Sequence, residues 1–202
     1  MNGIDVSHNN GIINWDKVAA NPAKIDFAYI KVSEGVNCTD ASFMFNAREA
    51  QRVGIKIGYY HFATLNVTDD VADARAEVDD FTNILKAAPK ADLPPVLDIE
   101  TNKVCLDPPH VLEWINSFYA EMRTRGYADT ILYSYTPFLD ANLPANHGLG
   151  NIALWLAGYV PAASLRLPQG WNKYAIWQYS NKGAVAGINT PVDLNTAPAV
   201  FF

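Results

Sequence analysis

Alternation is the feature that most constrains what this chain can fold into. Eight runs of apolar and β-branched residues, each of strand length, recur along it: NGIDVS, IDFAYIKVS, IKIGYYHF, PPVLDIE, TILYSY, NIALWLAGY, YAIWQYS and TPVDL. Helical stripes lie between the early ones. Phe43, Ala47 and Ala50 follow helical spacing up to Gly54, and Val71, Ala74, Val78, Phe81 and Leu85 do the same. Val111, Ile115, Phe118 and Met122 run to Gly126, which reads as a C-terminal stop. A shorter helix is expected after Trp15, ending near Asn21-Pro22. Strands that alternate with helices imply a parallel sheet covered by helices, and eight of them suggest closure into a barrel. The gaps at 159–173 and 181–190 carry Pro, Gly, Asn and Ser but no helical stripe. The expected fold is therefore α/β: an irregular (β/α)-barrel of about five βα units, followed by three strands without helices.

A chain of 202 residues, 50% hydrophobic and 18% charged, fills one globular domain, taken as residues 1–202 with no separate second module. Its formal net charge of −6 argues against nucleic acid or an anionic membrane surface as partner. No run approaches the ~18 apolar residues of a membrane-spanning helix. Cys38 and Cys105 form no C-x-x-C pair and stand near no paired histidines, so two free thiols are expected and no metal. His8, His110 and His147 lack metal-ligand spacing as well. No cofactor is implied, and a monomer is expected.

In an α/β barrel the C-terminal strand ends converge on the face where chemistry is done. Here they carry Asp5 and Ser7, Ser33 and Glu34, Tyr60 and His61, Asp98 and Glu100, and Tyr133. Trp155, Gln178 and Tyr179, then Asp193 and Asn195, complete the set. The stretch PPVLDIET is the most telling, because an apolar run ends in two acids. Residues i and i+2 of a strand share a face, ~6.6 Å apart at Cα, so Asp98 and Glu100 point the same way. Helices would cover the outer face, which favours an inward pair at the barrel mouth. Two carboxyls there repel, and at least one pKa should rise, the arrangement of a proton donor beside an ionised partner in glycoside hydrolysis. A structural ion-binding or capping pair is the competing reading.

The order and spacing of several motifs resemble the family 25 glycoside hydrolases, the Chalaropsis-type lysozymes that also occur as phage endolysins. The likeness runs from about residue 3 to 195. It rests on GIDVS with Trp15 after it, IKVSEG at 30–35, GYYHFA at 58–63, PPVLDIE and LYS at 132–134. LWLAGY at 154–159, WQYS at 177–180 and VDLN at 192–195 continue it. The resemblance implies an irregular barrel of five βα units plus three strands. It implies Glu100 as general acid, Asp98 as its partner, and Asp5 and Asp193 as groups that tune the cleft. The implied substrate is peptidoglycan, cut at the β-1,4 bond after N-acetylmuramic acid. Asn14 stands where the family often has an aspartate, and Tyr59 replaces a smaller residue.

Within that frame a 2-acetamido sugar can attack its own anomeric carbon, so Asp98 is expected to orient the acetamide. Inverting attack by water with Asp98 as base is the alternative. Tyr60, Tyr133 and Trp155 are expected to line the cleft, Gln178 to form a hydrogen-bonding wall, and Tyr179 to support it. Glu34 is expected to contact substrate, and Glu34 and His61 are each open to holding a neighbouring group or anchoring a loop. A chitinase-type D-x-x-D-x-D-x-E would need acids where Leu93 and Val96 stand. A barrel that binds wall glycan without cutting it should lack a cleft acid, yet all four are present. The start MNGIDVSHNNG has neither a basic nor an apolar leader region. The expectation is synthesis in a host cytoplasm and release to the wall as an endolysin, or secretion if a signal has been removed.

Overall fold

The computed structural model describes residues 1–66 and 70–199. Eight strands close in the order β1 to β8: β1 (Asn2–Val6), β2 (Phe27–Glu34), β3 (Lys56–Phe62), β4 (Val96–Asp98), β5 (Ile131–Tyr135), β6 (Leu154–Ala157), β7 (Ile176–Gly183) and β8 (Val192–Thr196). Five helices follow the first five strands: α1 (Trp15–Ala19), α2 (Phe43–Arg52), α3 (Asp70–Ala87), α4 (Pro108–Thr124) and α5 (Thr136–Asn142). This is the irregular barrel expected from the sequence, with five βα units and then three strands. The stripes identify the buried faces: Phe43, Ala47 and Ala50 in α2, and Val111, Ile115, Phe118 and Met122 in α4. Local chemistry sets the ends. Asn14 caps α1 by accepting from the Lys17 N–H at 3.1 Å, and Asp107 caps α4 just before Pro108 and Pro109. α5 escaped the periodicity argument because seven residues bury only Thr136, Phe138 and Leu139.

One strand breaks the parallel rule. β8 runs antiparallel to both β7 and β1. A parallel return needs a crossover of a dozen or more residues, and the stretch between Gly183 and Val192 is too short for one. Asp193 therefore reaches the mouth of the barrel from the start of its strand, opposite Asp5, and not from a C-terminal end as expected from the sequence.

The interior is built in layers. Phe27 and Tyr29 fill its lower part, and Gly3 and Gly58 make room for their rings, since a Cβ at either position would run into one of them. Tyr29 packs on Trp155 with ring centres 4.7 Å apart, and Trp155 meets Tyr133 edge-on at 4.9 Å. Above this aromatic layer sit the polar groups of the mouth. Outside the barrel, His61 is wholly buried between Phe81 of α3 and Phe118 of α4. Its Nε2 lies 2.7 Å from Glu77 and its Nδ1 2.9 Å from the Ser33 hydroxyl, while Glu77 also accepts from the Thr64 N–H and hydroxyl. The chain thus ties α3 to the ends of β2 and β3.

Gly58→Ala should push the Tyr29 ring and destabilise the chain by ~1–3 kcal/mol in urea unfolding. In a Tyr29→Leu background the same change should cost clearly less, and equal costs in the two backgrounds would refute the layer argument.

Candidate active site

A cavity of about 450 Å³ opens at the mouth, and Asp5, Asp98, Glu100 and Asp193 all line it. Inward and outward positions alternate along each strand, so Asp5 follows Gly3, Asp98 follows Val96, and Tyr60 follows Gly58. Tyr60, Tyr133 and Trp155 form aromatic walls.

Asp5 is the most heavily braced of the acids. Its Oδ2 accepts from Asn195 Nδ2 at 2.7 Å and from Gln178 Nε2 at 3.0 Å. Both amides are held the right way round from behind. The Trp155 indole N–H can only donate, and it gives to Asn195 Oδ1 at 2.8 Å. The hydroxyls of Tyr133 and Tyr159 donate to Gln178 Oε1 at 2.9 and 2.7 Å. Gln178 is therefore buried behind the cavity wall and does not form its surface. Burial pushes the Asp5 carboxyl well up, and the nearby Asp193 charge pushes it further; the two carboxyls share a hydrogen bond. One proton between the pair, held by Asp5, satisfies both.

Asp98 and Glu100 lie together in the cavity, as the i, i+2 spacing predicts. Burial raises Asp98 well above the usual carboxylate range, and Glu100 and Asp5 add to the effect while Lys31 opposes it. Its Oδ1 is buried and makes no hydrogen bond to the described protein. Glu100 is less enclosed, and its carboxyl is raised by burial and by Asp193, again against Lys31. Both acids are thus raised, Asp98 the more, whereas the sequence argument had Asp98 as the ionised member.

Lys31 is the feature that the list of strand ends overlooked. It is the one cation lining this cavity among the described residues. Its ammonium lies 2.6 Å from Glu34 and 4.8 Å from the centre of the Phe62 ring. Glu34 therefore acts on the cavity by holding Lys31 and by its charge on Asp98, and does not line it. A lysine inside the otherwise apolar run FAYIKVS was the available signal. The register of β2 slips between Lys31 and Ser33, which turns Ser33 outward to His61. His61 likewise faces the helices. Tyr179 is exposed and packs edge-on against Trp177 at 5.8 Å. Cys38 and Cys105 are free, and no metal-binding group of acids, histidines and cysteines exists among the described residues.

The lip is built from two loops. Asn10 bridges them, its side-chain amide reaching Thr190 Oγ1 and the Pro191 carbonyl, both at 3.3 Å. His8 is fixed from the α2 side by Asp40, at 2.7 Å.

Raised carboxyls inside aromatic walls suit acid catalysis on a carbohydrate, and an (β/α)-barrel that carries them belongs to the class of barrel glycoside hydrolases. Residues 4–188 match the model of the glycosyl hydrolases family 25, and the chain belongs to that family. Asp193 lies beyond the matched stretch and owes its place in the site to barrel closure. Lysozyme M1 of Streptomyces globisporus is 34% identical over 203 residues, spanning 96% of this chain and 67% of the relative. The fold is similar to that of the bacterial lysozyme from Streptomyces coelicolor, with a TM-score of 0.84 and 31% identity over 98% of this chain and 92% of that one. It is also similar to the Clostridium perfringens spore cortex lytic enzyme SleM, with a TM-score of 0.85, 30% identity, and 98% and 67% coverage. The enzyme is a glycoside hydrolase of lysozyme type.

A carboxyl whose pKa is higher folded than unfolded binds its proton more tightly in the folded state. Its contribution to stability is complete below its unfolded value, near ~4, and is lost as pH rises through the folded one. For Asp98 that loss falls above ~pH 4. Asp98→Asn should therefore stabilise the fold at neutral pH by about 1 kcal/mol, a rise in Tm of ~2–4 °C. Near ~pH 3 the gain should disappear. A variant less stable than the parent at pH 7 would contradict the burial argument.

Proposed function

We propose that this enzyme is an N-acetylmuramidase that cleaves the β-1,4 bond between N-acetylmuramic acid and N-acetylglucosamine in peptidoglycan. The observation that carries the mechanism is the buried, unpartnered Asp98 Oδ1 beside the raised Glu100 carboxyl. The peptidoglycan assignment is supported by the family and by the lysozyme relatives.

In the proposed reaction the acetamide N–H of the bound sugar donates to Asp98 Oδ1. That hydrogen bond favours the ionised carboxylate, and the negative charge then holds the proton on Glu100. Substrate thus moves the proton from the acid that burial favours to the acid that needs it. The acetamide oxygen attacks the anomeric carbon as Glu100 protonates the departing glycosidic oxygen. The cyclic oxazolinium formed is positively charged, and Asp98 stabilises it. Glu100, now a carboxylate, takes a proton from the water that attacks the same carbon, which reopens the acetamide ring and retains the anomeric configuration. Asp5 and Asp193 with their one proton keep the local charge from becoming too negative for Asp98 to ionise. Lys31 supplies the countercharge. Action on a wall from inside the producing cell after release, as an endolysin, is part of this proposal.

Bond choice is read from borohydride-reduced digests of peptidoglycan, where reduced N-acetylmuramic acid is expected. Reduced N-acetylglucosamine or anhydro ends would reject the assignment. Glu100→Gln should lower turnover by ~10²–10⁴-fold with the fold intact.

The pH profiles test the proton shift. The acid limb of kcat, which reports the complex, should lie at lower pH than that of kcat/KM, because the acetamide lowers the Asp98 pKa. The alkaline limb follows the loss of the Glu100 proton. Asp193→Asn removes a charge that raises Glu100 and should move this limb to lower pH, while Lys31→Met removes one that lowers it and should move the limb up. Shifts in the same direction would defeat the charge assignment, and a product of inverted configuration would make Asp98 a base for water.

A further inference from the structure

Lys31 and Glu34 lie three residues apart on β2, and in a regular strand that spacing puts two side chains on opposite faces. Here they meet at 2.6 Å. The slip of register makes this possible. Lys31 pairs with Tyr60 and Ser33 with His61, so Val32 is an extra residue, a bulge. The Val32 carbonyl accepts from the Asp40 N–H at 2.8 Å.

Beside this bulge stands a set of buried polar groups that the proposed reaction does not use. Ser33, His61 and Glu77 are at most 1% exposed, and none of them lines the acid-ringed cavity. Glu77 Oε1 accepts from the Thr64 N–H and hydroxyl, both at 3.0 Å, and Oε2 faces His61 Nε2. A carboxylate in that place takes the Nε2 proton, which leaves Nδ1 to accept from the Ser33 hydroxyl. The Thr64 hydroxyl also lies against Gly35, where a Cβ would run into it and where φ is +54°. Glu34 thus sits between two residues that are both seated on groups held by Glu77.

We propose that Ser33, His61 and Glu77 are positioning residues for the reaction: they hold Ser33 on the outer face and so fix the bulge, and the bulge puts Glu34 on Lys31. The inference rests on the reading of Asp98 and Glu100 as the working acids. Lys31 precedes the bulge and points inward with or without it, as Tyr29 does two residues earlier. Glu34 follows the bulge and would turn outward in a strand that lacked it. The ammonium would then act undiminished across the cavity. The groups that stand there are Asp98 and Glu100 at the end of β4, Asp5 of β1, Asp193 of β8 and the Tyr60 phenol of β3. Asp40, in the loop after β2, is held by His8. Lys31 pulls both working acids down, and Glu34 raises Asp98. Without the Lys31–Glu34 pair both acids fall, and the whole activity profile moves toward lower pH.

Serine carries no charge, so a shift caused by its replacement must pass through geometry. The test is the pH profile of kcat/KM on a soluble glycan strand. Glu34→Gln should move both limbs down by ~0.5 pH unit or more. Ser33→Ala should move them the same way by at least half as much. The double variant should go no further than Glu34→Gln alone, because both changes remove one pair. Ser33→Thr keeps a hydroxyl for His61 and should keep the parent profile, whereas Ser33→Val, of the same shape, should not. That comparison decides the matter if thermal melting shows Ser33→Ala to be unfolded. A merely structural role would lower the melting temperature and leave both limbs in place, which would overturn the proposal. Additive shifts in the double variant would overturn it as well. Limbs unmoved by Lys31→Met would instead reject the reading of the acids, and the inference would fall with it.

Discussion

The carboxyl of Asp5 is the point on which the mouth of this barrel depends. It is buried and charged unless protonated, and such a group survives only where its surroundings are fully specified. Two amides specify it here. Their orientation is set in turn by an indole N–H and two phenolic hydroxyls that donate to them. Strands β1, β5, β6, β7 and β8 all contribute to this one network. Tyr133 and Trp155, aromatic walls of the cavity, thus also hold the polar floor in register. Loosening the wall would also disorder the acids.

That economy explains why the acids can be so unfavourable to stability. Asp98 offers a buried oxygen to nothing in the described protein, and three neighbouring carboxyls oppose its ionisation. The barrel beneath compensates with a close-packed aromatic layer, in which glycine on one strand accommodates a large ring on the next. Lys31 moderates the field from the side. Glu34 holds that lysine by its ammonium and Phe62 by its ring face, so the one cation of the cavity lining among the described residues is fixed where its charge acts on both Asp98 and Glu100.

Much of this was legible in the sequence because it is local. Strand-length runs, the helical stripes of α2 and α4, and the shared face of Asp98 and Glu100 each follow from spacing within a few residues. What failed was non-local or depended on one slipped residue. The direction of β8 is decided by the length of the connection before it, and so is the end from which Asp193 enters. The fate of Ser33 is decided by the slip after Lys31, which reverses the alternation that a regular strand would keep. Gln178 looked like a surface of the cleft because its position in β7 is right. Only the tertiary hydrogen bonds reveal that its amide is committed at both ends.

The closure of the ring has a consequence for the order in which the molecule can come into being. Asp5 and Asn195 are 190 residues apart in the chain, yet their side chains meet at 2.7 Å. During synthesis from the N-terminus the first seven strands can be made while Asp5 still faces water and Trp155 has no acceptor. Nothing in the growing chain can substitute for the last strand, since β1 and β7 each need it as their antiparallel neighbour. Loop closure over such a span is slow, and it comes after the helices have formed. The acid-lined site is therefore absent from any chain that lacks β8 and is created in one late step. A barrel of lysozyme type becomes competent only once its eighth strand has joined the other seven.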